Sequence, residues 1–199
     1  YGRDAVAVYL GNPNAHNLSS LLYGPLWLKA LGTRNVYSAS TVDQMPKQVA
    51  AAHMFGHLLS VPVPDLDRTQ HLLLLGANPA VSNGSLMTAP DARGRIRRIR
   101  DRAGKVVVVD PRRTRTAELA DEHHFIRPGT DALLLFALVH TLVAEGLADP
   151  GPLADLCNGL EEVEALAREF PPEAVAERCG IPAGEIRRLA RELAAAERA

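Results

Sequence analysis

Short unbroken apolar runs alternate along this chain with longer segments whose apolar residues recur at helical spacing. DAVAVYL (Asp4 to Leu10), ended by Gly11-Asn12-Pro13-Asn14, has the pattern of a strand covered on both faces that feeds a loop. Leu18, Leu21, Leu22, Leu26 and the stretch Leu28 to Leu31 then share a helical face. With Asn17 as N-cap and Gly32 as stop, this predicts a helix over 18–31 whose apolar side meets the core. NVYS (Asn35 to Ser38) reads as a second strand, and Pro46, at a first-turn position, opens a helix to about Leu59.

The proline pair in Val61-Pro62-Val63-Pro64 favours extended chain and predicts a boundary between a first lobe, 1–63, and a second, 64–199. Beyond it the alternation sharpens. HLLLL (71–75) predicts a strand, Gly76 to Asn83 a loop, 91–103 a helix and KVVVV (105–109) a strand. A shorter strand at 123–127, a loop Pro128-Gly129-Thr130-Asp131 and an apolar helix over 132–145 follow. Strand and helix in alternation imply right-handed crossovers, and strands apolar throughout imply that both sheet faces are covered. The predicted class is α/β, a doubly wound, mostly parallel, Rossmann-like sheet. From Pro150 the pattern turns helical and ends in a helix over 183–199 with Ile186, Leu189, Ala190 and Leu193 on one side.

Composition narrows the function classes. The 199 residues are 47% hydrophobic and 23% charged with a net charge of -1, the make-up of a folded globular chain. No apolar run approaches the roughly 18 residues of a membrane span. Cys157 and Cys179 cannot supply four thiolates for a cluster or a zinc site and are expected as small core fillers. Nothing demands an oxidising compartment, so a cytoplasmic location is expected, with the periplasm as the alternative. Because the chain starts at Tyr1 and runs at once into a strand-like segment, it is expected to be an internal piece of a longer polypeptide.

Charge is uneven: Arg93 to Arg115 holds ten Arg or Lys against two Asp. Ile96 and Ile99 mark the buried side of this helix, and the arginines read as its solvated face, with polyanion binding or steering of an anionic cofactor as the alternatives. His53 and His57 have the i, i+4 spacing of metal ligands but lack a third ligand or a glutamate base, so no protein-ligated zinc is expected. His123, His124 and His140 read as structural, and no nucleophile–histidine pair is visible.

Ligands of open parallel sheets bind beyond the carboxyl ends of the strands. Three loops there have nucleotide-binding character. In the first, Gly76 permits a tight turn while Asn78, Ser82 and Asn83 offer short polar groups. In the second, DPRRTRT (110–116), Asp110 is placed to accept from ribose hydroxyls or from the N–H edge of guanine, and Arg112 to stack on a base or hold phosphate. In the third, Gly129, Thr130 and Asp131 open a helix whose leading N–H groups suit an anion. A simple turn or cap explains each loop taken alone; three on successive strands favour an extended nucleotide site. An NAD-type dehydrogenase and a non-enzymatic interaction module remain alternatives on these residues.

LGANPAVSNGSL (75–86), KVVVVDPRRTRTAELADEH (105–123) and IRPGTDALLLFALVHTLV (126–143) together resemble the molybdopterin oxidoreductase family, which includes formate dehydrogenases and periplasmic nitrate reductases. YLGNPNAHN (9–17), NVYSASTVDQMPKQ (35–48) and GIPAGEIRRLARELAAA (180–196) extend the resemblance over nearly the whole chain. It implies a molybdenum (or tungsten) bis(molybdopterin guanine dinucleotide) cofactor and a small-molecule substrate. It further implies a [4Fe-4S] cluster in a preceding domain, a following barrel-like domain and electron-transfer subunits, with no role for nucleic acid. Residue by residue, it implies that Gly76 and Asn78 approach a pyrophosphate, Asp110 and Arg112 recognise the guanosine end, and Gly129, Thr130 and Asp131 close around the nucleotide, with Ser82 and Thr114 in the same loops. The stretch near the metal falls at Lys47, Gln48 and Val49. Valine cannot ligate, so no metal ligand is assigned, and Lys47 and Gln48 are the catalytic candidates.

Overall fold

A computed structural model describes residues 1–41, 43–82 and 89–199. The chain forms two compact units, Tyr1–Pro62 and Val63–Ala199.

In the first unit, β1 (Val8–Leu10) and β2 (Val36–Ser38) pair in parallel, Tyr9 opposite Tyr37, joined through helix α1 (Leu18–Leu31) and followed by α2 (Met45–Phe55). α1 starts where the Asn17 side-chain oxygen accepts from Ser20 N–H at 3.0 Å and stops at Gly32, whose φ of +65° turns the chain. β1 is shorter than its apolar run because Arg3–Ala5 forms a 3-10 turn. There the Asp4 carboxylate accepts from the backbone N–H and the guanidinium of Arg34, at 2.9 and 2.8 Å, and is pinned beside the turn before β2. α2 ends at Phe55 because Gly56 takes φ +77°. His57 is therefore outside the helix, its Nδ1 accepting from Leu59 N–H at 3.1 Å, so the metal-ligand spacing with His53 is not realised.

The expected core face of α1 is not found: none of its residues is buried, and Leu18, Leu22 and Leu26 are 71%, 59% and 62% exposed. The physical reason lies in LSSLLYGPLWLKAL, which carries apolar residues on every side, and in the size of its receiving surface. A 14-residue helix about 21 Å long outruns two strands of three residues. Among the described residues of this unit, Val8 and Ala51 are the buried hydrophobics.

The second unit is built on three parallel strands in the order β3 (His71–Leu75), β4 (Lys105–Val109), β5 (Glu122–His124). Helices lie on both faces: α3 (Pro79–Ser82) and α4 (Ala92–Asp101) between β3 and β4, then α5 (Asp131–Ala144), α6 (Leu160–Ala167), α7 (Pro172–Cys179) and α8 (Ala183–Ala195) after β5. The period of two decides which side chain goes where. Leu72, Leu74, Val106 and Val108 pack with Ile96 and Ile99 of α4 on one face. Val107 and Val109 pack with Leu134 and Leu138 of α5, Val175 of α7, and Ile186 and Leu189 of α8 on the other. This is the doubly wound α/β arrangement, with the strands of the chain divided between two sheets rather than joined in one.

β5 stops at His124 instead of continuing to Arg127, because the chain turns away to α7: Arg127 N–H donates to Cys179 O at 2.9 Å. Between α4 and β4, a Cβ on Gly104 would lie 2.7 Å from Gln70 O and 2.8 Å from Ile99 O, so only glycine fits. Cys179 is buried, as expected of a core filler. Cys157 is exposed, because it follows the 3-10 segment Gly151–Leu156, none of which is buried. Much of the basic tract is paired: Arg95 with Asp67, Arg100 with Asp121 at 2.6 Å, and Arg102 with the carbonyls of Leu66 and Thr69.

At the amino ends of the strands, Lys105 Nζ lies between Glu122 and Glu192 at 2.6 and 2.7 Å, while Arg188 of α8 reaches Glu122, Glu185 and Glu192. Burial alone would raise the Glu122 carboxyl, but hydrogen bonds from Arg188, Lys105 and His124 outweigh it and bring the pKa down to about 2. His71, buried beside Glu192, is pushed below the usual histidine range by desolvation. Among the described residues no helix is long and apolar enough to cross a membrane.

Candidate functional site

The parallel order puts the carboxyl ends of β3, β4 and β5 on one edge, with about 5 Å between neighbouring strands. All three loops expected to bind a nucleotide leave from it. Gly76 follows β3 with φ +62°, donates its N–H to Val109 O at 2.9 Å, and has open space where a Cβ would stand. Asn78 comes next: its carbonyl accepts from Val81 and Ser82 N–H, while its side-chain Oδ1 accepts from Thr116 Oγ1 at 2.8 Å. Ser82 is exposed and donates its hydroxyl to Asn78 O at 3.3 Å. Asn83 lies outside the described residues.

Asp110 caps the end of β4 and is mostly buried. Its N–H donates to His124 O at 3.1 Å, and its carboxylate Oδ1 accepts from Arg112 N–H at 2.8 Å. His123 Nε2 lies 3.0 Å from Asp110 O, which ties the tip of β4 to β5. Arg112 is exposed. Thr114 is turned inward, where its hydroxyl accepts from Ala117 N–H at 3.1 Å. After β5, Gly129 takes φ +80° in open space. The Thr130 hydroxyl donates to Arg127 O at 2.7 Å rather than capping α5, so the leading N–H groups of α5, beginning at Asp131, carry no side-chain cap. Thr116, in the loop that follows Asp110, thus ties that loop to Asn78, a link that the sequence patterns did not single out.

The first unit has a cavity of about 690 Å³ of its own at the carboxyl ends of β1 and β2. Leu10 of β1 and Gly11 just after it line it, with Ser38 of β2, Ser40 of the turn that follows, and Tyr23 and Trp27 of α1. Ser38 and Ser40 Oγ are 2.7 Å apart, and Gln44 Nε2 donates to Ser40 Oγ at 3.1 Å. Asp43 is the one carboxylate among its described lining residues. Lys47 and Gln48 lie on α2 outside the lining, Lys47 exposed and Gln48 half-buried, and Val49 is exposed on the same helix. The signal that would have found Asp43 is its place: an acidic residue between the second strand and a proline-opened helix.

Comparison with known proteins gives these features a family. Formate dehydrogenase H of Escherichia coli (strain K12) is 28% identical over 200 residues, matching all of this chain and 27% of its own length. The molybdopterin-containing subunit PhsA of thiosulfate reductase from Salmonella typhimurium is 31% identical over 171 residues, 83% of this chain and 21% of that one. In structure, acetylene hydratase from Pelobacter acetylenicus superposes with a TM-score of 0.71 at 28% identity, covering 99% of this chain and 26% of the hydratase. The chain thus spans about a quarter of the length of these relatives. The molybdopterin oxidoreductase family model matches residues 1–168, and the chain belongs to the molybdopterin oxidoreductase family.

Proposed function

We propose that this chain is the α/β core of a molybdenum-dependent oxidoreductase, and that the carboxyl edge of β3, β4 and β5 holds the guanosine diphosphate half of a molybdopterin guanine dinucleotide. The observation that carries the reading is the convergence on one edge of a carboxylate, a guanidinium, an amide and two left-handed glycines: Asp110, Arg112, Asn78, Gly76 and Gly129. The donor set fits the group. The Asp110 carboxylate, held by Arg112 N–H, accepts from the two adjacent N–H groups that guanine presents and adenine lacks. Arg112, exposed beside it, stacks on the base or grips phosphate through its planar fork. Gly76 and Gly129 leave room for close backbone approach, Asn78 donates to the pyrophosphate, and the uncapped start of α5 at Thr130 and Asp131 favours negative charge. Ser82 and Thr114 hold their loops in shape.

When bound, the pterin group and its metal supply the redox chemistry, and the protein contributes position and electrostatics. In the first unit we assign Asp43, the cavity's carboxylate, as the side chain able to ligate a metal, in place of Val49, which has no donor atom. Lys47 and Gln48 on α2 are assigned to substrate handling. In the assembled cytoplasmic enzyme, oxidation or reduction of a small-molecule substrate is coupled to an iron–sulfur chain, including a [4Fe-4S] cluster. That cluster and the electron-transfer subunits lie outside these 199 residues, and the chain alone is expected to show no turnover.

Calorimetric titration of the chain with GDP, ADP and NAD tests the nucleotide reading. Saturable binding is expected for GDP ahead of the other two, with Asp110→Asn weakening GDP by roughly ten- to a hundredfold, the worth of hydrogen bonds to a charged group. Equal affinity for ADP and GDP, or tighter NAD binding, would overturn it.

A further inference from the structure

We infer that Thr116 is a positioning residue that fixes which way the Asn78 amide points, so that both of its N–H bonds are presented to the diphosphate. The inference rests on the reading of this edge as a guanosine diphosphate site. Thr116 lies 38 positions along the chain from Asn78 and is fully buried. It stands before the 3-10 turn Ala117–Leu119, yet its side chain does not cap that turn. Its hydroxyl instead reaches across to the first loop, accepting from Ala80 N–H at 3.0 Å and lying 2.8 Å from the Asn78 side chain.

The direction of each bond follows from what the groups are able to do. A peptide N–H only donates, so the hydroxyl accepts from Ala80. Its single proton then needs an acceptor in a place closed to water, and the Asn78 side-chain oxygen is the neighbour in reach. A reversed amide would set N–H against O–H and leave a buried hydroxyl proton unpaired, at the cost of an unmade hydrogen bond. Nδ2 with its two protons is therefore turned away from Thr116. The main chain of the loop is held as well, since the Asn78 carbonyl accepts from Val81 and Ser82. Asn78 thus presents two donors in a preset orientation beside the open space at Gly76, and a diphosphate needs no rotation of the amide on binding.

The test is titration of the unmodified chain and four variants with GDP and with guanosine, alongside thermal unfolding. Thr116→Val, close in shape, is expected to weaken GDP by about tenfold, the worth of a lost hydrogen bond, and to leave guanosine within about twofold. Thr116→Ser restores the hydroxyl and is expected to recover GDP affinity to within about threefold. Asp110→Asn is expected to weaken both ligands. Asn78→Asp keeps the acceptor for Thr116 and removes the donors, so it is expected to fold and to lose at least as much GDP affinity as Thr116→Val. An unchanged ratio of GDP to guanosine affinity in Thr116→Val, with Asp110→Asn still impaired, overturns the role of Thr116 and leaves the site reading standing. Should Thr116→Val not fold, Asn78→Asp decides, and undiminished GDP binding there overturns the inference. Failure of the unmodified chain to bind GDP overturns both.

Discussion

Helix α1 of the first unit and helix α8 of the second are nearly equal in length, 14 and 13 residues, and differ in what becomes of their apolar side chains. α8 gathers Ile186, Leu189 and Ala190 on one stripe, buries them under the sheet, and gives its other sides to Arg187, Arg188, Arg191 and Glu192. α1 spreads leucines around its circumference and buries none. Apolar content alone therefore does not make a core. The residues must be segregated on one side, and a surface large enough to receive them must exist.

That contrast breaks most readily at Ile186. Ile186→Ala is expected to destabilise the second unit by about 2–5 kcal/mol through a lost side chain and a cavity, whereas Leu22→Ala in α1 should stay within about 0.5 kcal/mol. The molecule supplies separate probes, because Trp27 and all four tyrosines belong to the first unit. Urea titration followed by far-UV circular dichroism reports mainly the second unit, and Trp27 emission reports the first. A Leu22→Ala loss as large as that of Ile186→Ala would end the distinction.

Next in size is Gly104→Ala, expected to cost about 1–3 kcal/mol in the same dichroism transition, because the new methyl meets the main chain of Gln70 and Ile99. An acid titration sharpens the comparison further. The Glu122 pKa is depressed to about 2, so its pairing stabilises the fold fully above the unfolded value near 4.5 and is lost as pH falls towards 2. Glu122→Gln should flatten that part of the stability profile, measured by urea midpoints at stepped pH, and lower stability at neutral pH. A profile unchanged by the substitution would show that the network is not what acid disrupts. A local effect belongs to the exposed helix: Asn17→Ala should cost α1 about 1 kcal/mol, read as faster amide exchange at Ser20.

The parts of this fold that local chemistry determines were open to reading from the residues. The apolar runs at 71–75 and 105–109 became β3 and β4 with those bounds, and Asn17 and Gly32 marked both ends of α1. Departures arose where distant groups intervened. Arg34 holds Asp4 in a turn and shortens β1, and Cys179 O draws Arg127 away from β5. In the candidate site, glycines and carboxylates at strand tips were visible because each acts within its own loop. Thr116 was not, since its meaning depends on a partner 38 positions distant. Asp43 is marked in the sequence only by its place between the second strand and a proline-opened helix, and its meaning comes from the cavity that it lines.

β3 and β4 carry the salt-bridge cluster at one end and the loops proposed for the nucleotide at the other, separated by about 13 Å of strand. Tolerance to harsh conditions and choice of what is recognised are therefore written in different places. On that reading, revising Lys105, Glu122 or Arg188 loosens or firms the scaffold without touching its molecular appetite.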